Sequence, residues 1–276
     1  MHGVSLPLFS RSLAELQDPS KSALFKGTIE GFQGILDNLD RSIANIFFFE
    51  GRTAIYIGEN HSDLLSKTKR QNNVIGLHGM DHEDLIGTES KITISLREIT
   101  SIIAKGAEAV QSVTHVPPRI FRAPYMRIER TILAKLPDLG IRSDSSLYLE
   151  TTSAPIPYHV VPGLLEIPVV KYPKSDGKFI YMYLWPLLEQ KRPTEDYIHS
   201  LIQLCENNES PEEHSFCLIN LHPWHISYRI TERRYLSVKE INKNLELLQI
   251  VLDGIREHPR IHFELPEVVV KEITGY

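Results

Sequence analysis

Residues 73–82 read Asn-Val-Ile-Gly-Leu-His-Gly-Met-Asp-His, a short apolar run that passes directly into His78 and His82. Its length and β-branched content predict a buried strand over Asn73–Leu77, with chemistry beginning where the apolar residues stop. The same transition recurs in both directions along the chain. Strands are predicted at Asn45–Phe49, Arg119–Arg122, Gly140–Asp144, Leu165–Val170, Phe216–Leu221 and Ile261–Leu265, and three of them run into Arg122, Asp144 and Leu221-His222. Between strands, Ile29, Phe32, Ile35, Leu36 and Leu39 share one helical face, as do Ile99, Ile102, Ile103, Ala107 and Val110. A last stripe, Val238, Ile241, Leu245, Leu248, Leu252 and Ile255, ends at His258-Pro259. Strands alternating with helices predict an α/β fold with a parallel sheet, and about seven of them favour a distorted (β/α) TIM-like barrel. In a barrel the C-terminal strand ends share one face, so His78, Arg122, Asp144 and His222 would converge although distant in sequence. An open doubly wound sheet fits the same alternation, but no glycine-rich phosphate loop follows any of these strands.

Composition narrows the partners. A chain of 276 residues, 42% hydrophobic and 24% charged, can bury a large core without crosslinks and is expected to form one domain over residues 1–276. Thirty Lys+Arg against 35 Asp+Glu leave a net charge of −5, which offers no basic surface for nucleic acid. Cys205 and Cys217 form no CxxC pair and read as buried reduced thiols. No apolar run approaches the roughly 18 residues of a membrane span, and the N-terminal MHGVSLPLFSRS lacks the pattern of a secretion signal, so a cytoplasmic location is expected.

Each polar cluster supports two readings. His78 and His82 are four apart, a spacing that on a helical turn places both imidazoles on one side to chelate an ion, zinc above all; the spacing also arises by chance among 12 histidines. Phe121-Arg-Ala-Pro-Tyr125 supplies a guanidinium and a proline-stiffened turn able to aim backbone N–H groups inward, or is a loop with a salt-bridging arginine. Asp144 in Ser-Asp-Ser-Ser is a site carboxylate by position, or a cap or turn residue. Leu221-His-Pro-Trp-His225 suits a general acid beside an aromatic wall for a sugar face, or holds a buried histidine satisfied by backbone.

Taken in order, HGMDH, FRAPY, SDSS and NLHPWH resemble the motifs of the polysaccharide deacetylases, carbohydrate esterase family four with its NodB-like homology domain. SIANIFFFEG and LLEIPVV are similar to two of the family's strands, so the likeness spans most of the chain. The resemblance implies a distorted barrel with an open site and metal-dependent hydrolysis of N-acetyl (or O-acetyl) groups on a glycan or amino sugar, acting on carbon–nitrogen but not peptide bonds. It implies His78 and His82 as metal ligands, Arg122 as the group that orients a catalytic carboxylate, and Asp144 as the residue that holds Arg122. It implies that Pro124 and Tyr125 form the turn whose Tyr125 N–H faces the oxyanion, that His222 is the catalytic acid, and that Trp224, Tyr125 and Pro124 line the sugar site. The implied cofactor is a divalent metal, zinc foremost, with cobalt, manganese or nickel as alternatives, and the implied partner is an acetylated carbohydrate.

One motif has no counterpart. The family's first, a TFDDG- or DVED-like strand end, supplies the general base and a third metal ligand, and ahead of the helix predicted over Thr28–Asp40 the one aspartate is Asp18, in a turn-like LQDPSK. The first strand is therefore expected to be missing, its end falling near Met1-His2-Gly3. The alternatives are a sugar-binding homologue that has lost its catalytic residues, and a related barrel amidohydrolase acting on a small cyclic amide such as allantoin. Asp81 is a conceivable substitute ligand, although a helical turn would point it away from the histidines.

Overall fold

Strands β1 (Asn45–Phe49) and β2 (Asn73–Leu77) pair in parallel over their full predicted lengths, Asn45 opposite Asn73 and Phe49 opposite Leu77. The structure is a computed structural model that describes residues 23–40, 43–70, 73–88, 90–175, 177–189, 191–207 and 215–264. The expectations placed on residues 1–22, Asp18 and the first strand among them, lie outside these.

The sheet grows from that pair. β3 (Ile120–Phe121), β4 (Ser143–Asp144) and β7 (Leu164–Glu166) add in parallel, and β6 (Tyr158–Val161) closes one edge antiparallel to β7, giving the order β1-β2-β3-β4-β7-β6. A second sheet joins β5 (Tyr148–Glu150), β8 (Val169–Pro173) and β9 (Phe179–Tyr181). β10 (Tyr228–Arg229) and β11 (Arg234–Tyr235) form a short hairpin. The predicted strand Leu165–Val170 is thus two strands in two sheets. Pro168 sits at the break, where its missing N–H cannot continue a ladder.

Two further strand predictions change. Residues 216–221 form no ladder, and their one strand-like pairing is a parallel bridge between Asn220 and Tyr183. Residues 261–264 form no strand. Among the described residues the hydrogen-bonded ladder thus runs from β1 to β6, within the expected α/β fold of parallel strands. The 216–221 segment nonetheless packs inward, Leu218 joining Ile46, Phe48, Val74, Ile120 and Ile167 in one apolar cluster.

Helices cover the outer face: α1 (Ala23–Asn38), α2 (Gly51–Asn60), α3 (Ser62–Arg70), α4 (Leu96–Thr114), the short α5 (Arg130–Leu133) and α6 (Trp185–Leu188), α7 (Thr194–Glu206), the short α8 (Trp224–Ser227) and α9 (Val238–Arg256). The predicted stripes are the buried ones. Phe32 of α1 packs edge-on to Phe47 and Phe49 of β1, with ring centroids 5.0 and 6.0 Å away. On α4, Ile99, Ile103 and Val110 are buried, and on α9, Leu248, Leu252 and Ile255. Val238, counted in the α9 stripe, is instead exposed at the first helical position. There Ser237 and Glu240 form a reciprocal capping box that fixes where the helix starts. Cys205 and Cys217 are free thiols, only partly buried. No described helix is long and apolar enough to cross a membrane.

Candidate active site

Because β1, β2, β3, β4 and β7 are parallel, they deliver Glu50, His78, Arg122, Asp144 and Glu166 to the same side of the sheet. The ladder continues just past the strands: His78 N–H donates to Phe49 O at 2.8 Å, Arg122 N–H to Leu77 O at 2.9 Å and Ile167 N–H to Asp144 O at 2.8 Å. These side chains therefore emerge from a rigid edge rather than from free loops.

The histidine pair is brought together, but not on a helical turn. Gly79 and His82 take left-handed φ values of 80° and 62°, and the loop they shape sets the two rings 4.9 Å apart and steeply inclined. Its backbone is pinned from outside: Gly51 N–H donates to Gly79 O and Arg52 N–H to Met80 O, both at 3.0 Å. Glu83 takes the N–H groups of Met80 and Asp81 at 3.1 and 2.9 Å. Asp81 is occupied elsewhere, its carboxylate gripped by Nε and Nη2 of Arg52. It is no substitute ligand in this arrangement. Asp84 is likewise committed, accepting from the N–H and hydroxyl of Ser90.

His78 Nδ1 lies 2.6 Å from Arg122 O. A carbonyl only accepts, so Nδ1 carries the hydrogen and Nε2 the lone pair, the form in which a histidine binds a metal. Burial, and then the nearby His82, hold the His78 imidazole well below its ordinary 6.5, so it is neutral. Two buried imidazoles side by side fit a borderline cation such as zinc. No third His, Cys, Asp or Glu joins them in a metal-holding group among the described residues.

Arg122 is buried, its guanidinium 4.3 Å above the ring of Phe48. It donates through Nε to Ser145 O at 2.9 Å, through Nη2 to Ser145 Oγ at 2.8 Å and through Nη1 to Asn220 Oδ1. Burial lowers its pKa to about 10, which leaves it charged at neutral pH. The direct Asp144–Arg122 pair implied by the resemblance is not what forms. Asp144 accepts from the N–H of Ser146 at 3.0 Å and its hydroxyl at 2.8 Å, and lies opposite Glu166 in the ladder. Ser146 Oγ in turn accepts from Ala123 N–H at 2.8 Å, at the entry to the Pro124–Tyr125 turn. Asp144 thus supports that turn through Ser146 and acts on Arg122 only through space. Tyr125 holds a left-handed φ of 61°, and its ring stands edge-on 4.7 Å from His82. Pro124 beneath it is buried.

His222 reaches the same region from the 216–221 segment. His82 and Arg122 both add to the burial that holds its imidazole well below 6.5. The Tyr183 hydroxyl bonds to its Nδ1, and its backbone N–H donates to His225 Nδ1 at 3.4 Å. Trp224 stacks on it with rings 5.2 Å apart and 17° from parallel. Expected as a sugar wall, Trp224 is only 3% exposed and serves as the support behind His222.

Sequence reasoning missed Ser145, Ser146, Glu166, Tyr183, Asn220 and His225 as members of this network. A signal existed for His225, the second histidine of the LHPWH run, and for the serines flanking Asp144. Tyr183 and Asn220 carried none.

Residues 28–143 match the sequence model of the polysaccharide deacetylase family. Over this stretch the chain carries that family's pattern. The fold agrees: a Mycobacterium smegmatis protein assigned to the polysaccharide deacetylases superposes with a TM-score of 0.66 at 17% identity, covering 95% of this chain and 85% of that one. A PuuE allantoinase gives 0.60 at 14%, covering 94% and 77%. A family-four carbohydrate esterase pseudoenzyme from Bacillus anthracis gives 0.52 at 13%, covering 88% and 61%. At these identities the superpositions show the α/β fold alone. No curated protein matches the sequence.

Proposed function

We propose that this is the site of a metal-dependent deacetylase that removes N-acetyl (or O-acetyl) groups from a glycan or amino sugar. The observation that carries the reading is the His78–His82 pair, 4.9 Å apart and buried, with His78 held by Arg122 O in its metal-binding form. A divalent cation, zinc foremost, would be held by these two imidazoles and would supply acidified water and a polarising charge for the acyl carbonyl.

The chain's own residues account for charge stabilisation and for protonation of the leaving group, while the base that takes the proton of the attacking water belongs to the motif that has no counterpart in this sequence. Tyr125, in its left-handed turn, offers a backbone N–H to the oxygen that becomes negative as the carbonyl is attacked. His222, once protonated, gives that proton to the departing nitrogen as the carbon–nitrogen bond breaks and returns to neutral, so acetate and a free amine leave. Arg122, its guanidinium fixed by Ser145 and Asn220, keeps a positive charge beneath the site. The acetylated carbohydrate binds at the strand ends around Tyr125 and Pro124.

A second reading, a sugar-binding protein that performs no hydrolysis, rests on the base-bearing motif that has no counterpart in the sequence. Acetate release from chitooligosaccharides with added zinc, cobalt or manganese tests both. The deacetylase reading expects metal-stimulated release that falls at least about 100-fold in His222→Ala, within the range for loss of a general acid. Oligosaccharide binding without acetate release would select the second reading, and turnover of allantoin alone would select a cyclic-amide hydrolase.

A further inference from the structure

Tyr183 lies just past β9 in the run Tyr-Met-Tyr-Leu-Trp, residues 181–185, where nothing in its spacing marks it. The backbone fixes it firmly. It bridges Asn220 in parallel, Asn220 N–H donates to Met182 O and Leu184 N–H to Asn220 O, both at 2.8 Å, and the Tyr197 hydroxyl reaches Tyr183 O at 3.4 Å. That register brings the phenol to His222, two residues beyond Asn220, with ring centroids 5.3 Å apart and planes at 88°. The hydroxyl bonds to Nδ1.

The direction of this bond follows from counting hydrogens. A neutral imidazole carries one N–H and one lone pair, and the phenol carries one O–H. Among the described residues, His222 Nδ1 is the one partner of the Tyr183 hydroxyl. If Nδ1 were the donor, the phenol O–H would be buried without an acceptor, at a cost of about 1–3 kcal/mol. Donation from oxygen to Nδ1 avoids that cost. Burial also raises the phenol well above its ordinary 10, so it remains a neutral donor.

We propose that Tyr183 is the positioning residue of His222: its O–H donates to Nδ1 of the neutral imidazole and keeps that ring's hydrogen on Nε2, and once Nδ1 takes up a proton from solvent the phenol oxygen turns to accept it, so that the cation gives its Nε2 proton and returns to neutral. A carboxylate in that place would raise the basicity of the ring as well as orient it. A hydroxyl selects the tautomer and leaves the basicity low. The function assigned to this tautomer rests on the deacetylase reading, while the tautomer itself does not. Because Asn220 takes Arg122 Nη1 on its side chain and Tyr183 on its backbone, the same contact ties the arginine to the histidine.

The test is the long-range 15N–1H spectrum of the full chain labelled at histidine, with the His222 signals identified by their loss in His222→Gln. The expected wild-type pattern has hydrogen on Nε2 and an Nδ1 resonance typical of a hydrogen-bonded acceptor. In Tyr183→Phe, which keeps the ring, the Nδ1 resonance moves to that of an unbonded lone pair. Hydrogen on Nδ1 in the wild type, or an Nδ1 signal unmoved in Tyr183→Phe, overturns the proposal. If the chain releases acetate, Tyr183→Phe should lower kcat about 10-fold or more with KM within about twofold, as a group acting only in the chemical step requires. Expected spectra without acetate release would sink the deacetylase reading and leave the positioning role standing.

Discussion

Asp144 and Glu166 face each other across the β4–β7 ladder, both fully buried, with Glu166 Oε1 accepting from Leu147 N–H at 3.0 Å. Burial, and then the charge of Asp144, push Glu166 up to about 10, so the folded protein holds it protonated. A carboxyl raised in this way contributes its full stabilisation below its ordinary value near 4.5 and loses it as pH climbs toward about 10. Glu166→Gln keeps the oxygen that accepts from Leu147 N–H and cannot ionise. Urea unfolding at about pH 5 and pH 9 should show wild-type stability falling relative to the variant by up to about 1.4 kcal/mol per pH unit, the limit for one proton. Equal slopes would mean that Glu166 folds ionised.

Loss of either imidazole should be felt by the cation. His78→Ala and His82→Ala are each expected to weaken cobalt binding, read from its visible absorption, by more than the about 10–100-fold that loss of a mere supporting hydrogen bond costs. Asp81→Asn serves as the contrast, since its carboxylate belongs to Arg52. Affinity should stay within about twofold there, and a large drop would return Asp81 to the ligand set.

Removing the acceptor on Asn220 strands a buried donor. Asn220→Ala leaves Arg122 Nη1 without its partner and should cost about 1–3 kcal/mol in denaturant unfolding. Asn220→Asp, which keeps an oxygen in place beside the guanidinium, should cost less. The reverse order would place the importance of Asn220 in its bond to Met182 O rather than in Arg122.

Gly106 on α4 sits against the histidine loop. A Cβ there would lie 2.6 Å from Gly79 O and 3.1 Å from Met80 N, backbone atoms that cannot rotate away. Alanine normally favours a helix interior over glycine by about 1 kcal/mol. Gly106→Ala is nevertheless expected to keep its helix content by circular dichroism and lose about 10-fold in metal affinity as the loop is displaced. Unchanged affinity would mean that the loop yields without moving its rings.

How far the sequence could be read follows from where each feature draws its cause. β1 and β2 were legible because their apolar runs are continuous and their whole length is paired. The split at Pro168 was missed because the continuous apolar pattern outweighed the proline, which cannot continue the ladder. Residues 216–221 misled because their apolar character serves packing, through Leu218, rather than a strand ladder. In the site, His78, His82, Arg122 and His222 stand out as polar groups ending apolar runs. Tyr183 and Asn220 act only through the register of two distant segments, which no local spacing encodes. Glu166 was hidden because a lone carboxylate in a strand reads as solvent-facing until its buried partner is known. Trp224 beside His222 reads equally as a sugar wall or as a support, and only its burial decides.

The opening turn of α2 spends its Gly51 and Arg52 amides on Gly79 and Met80 carbonyls rather than on a side-chain cap. The helix cannot fray from that end without releasing the two imidazoles together, so proton exchange at these two amides should be as slow as in the sheet. An ion that ordered the imidazoles would slow it further. Isotope labelling of Gly51 and Arg52 therefore offers a gauge of occupancy that needs neither substrate nor turnover.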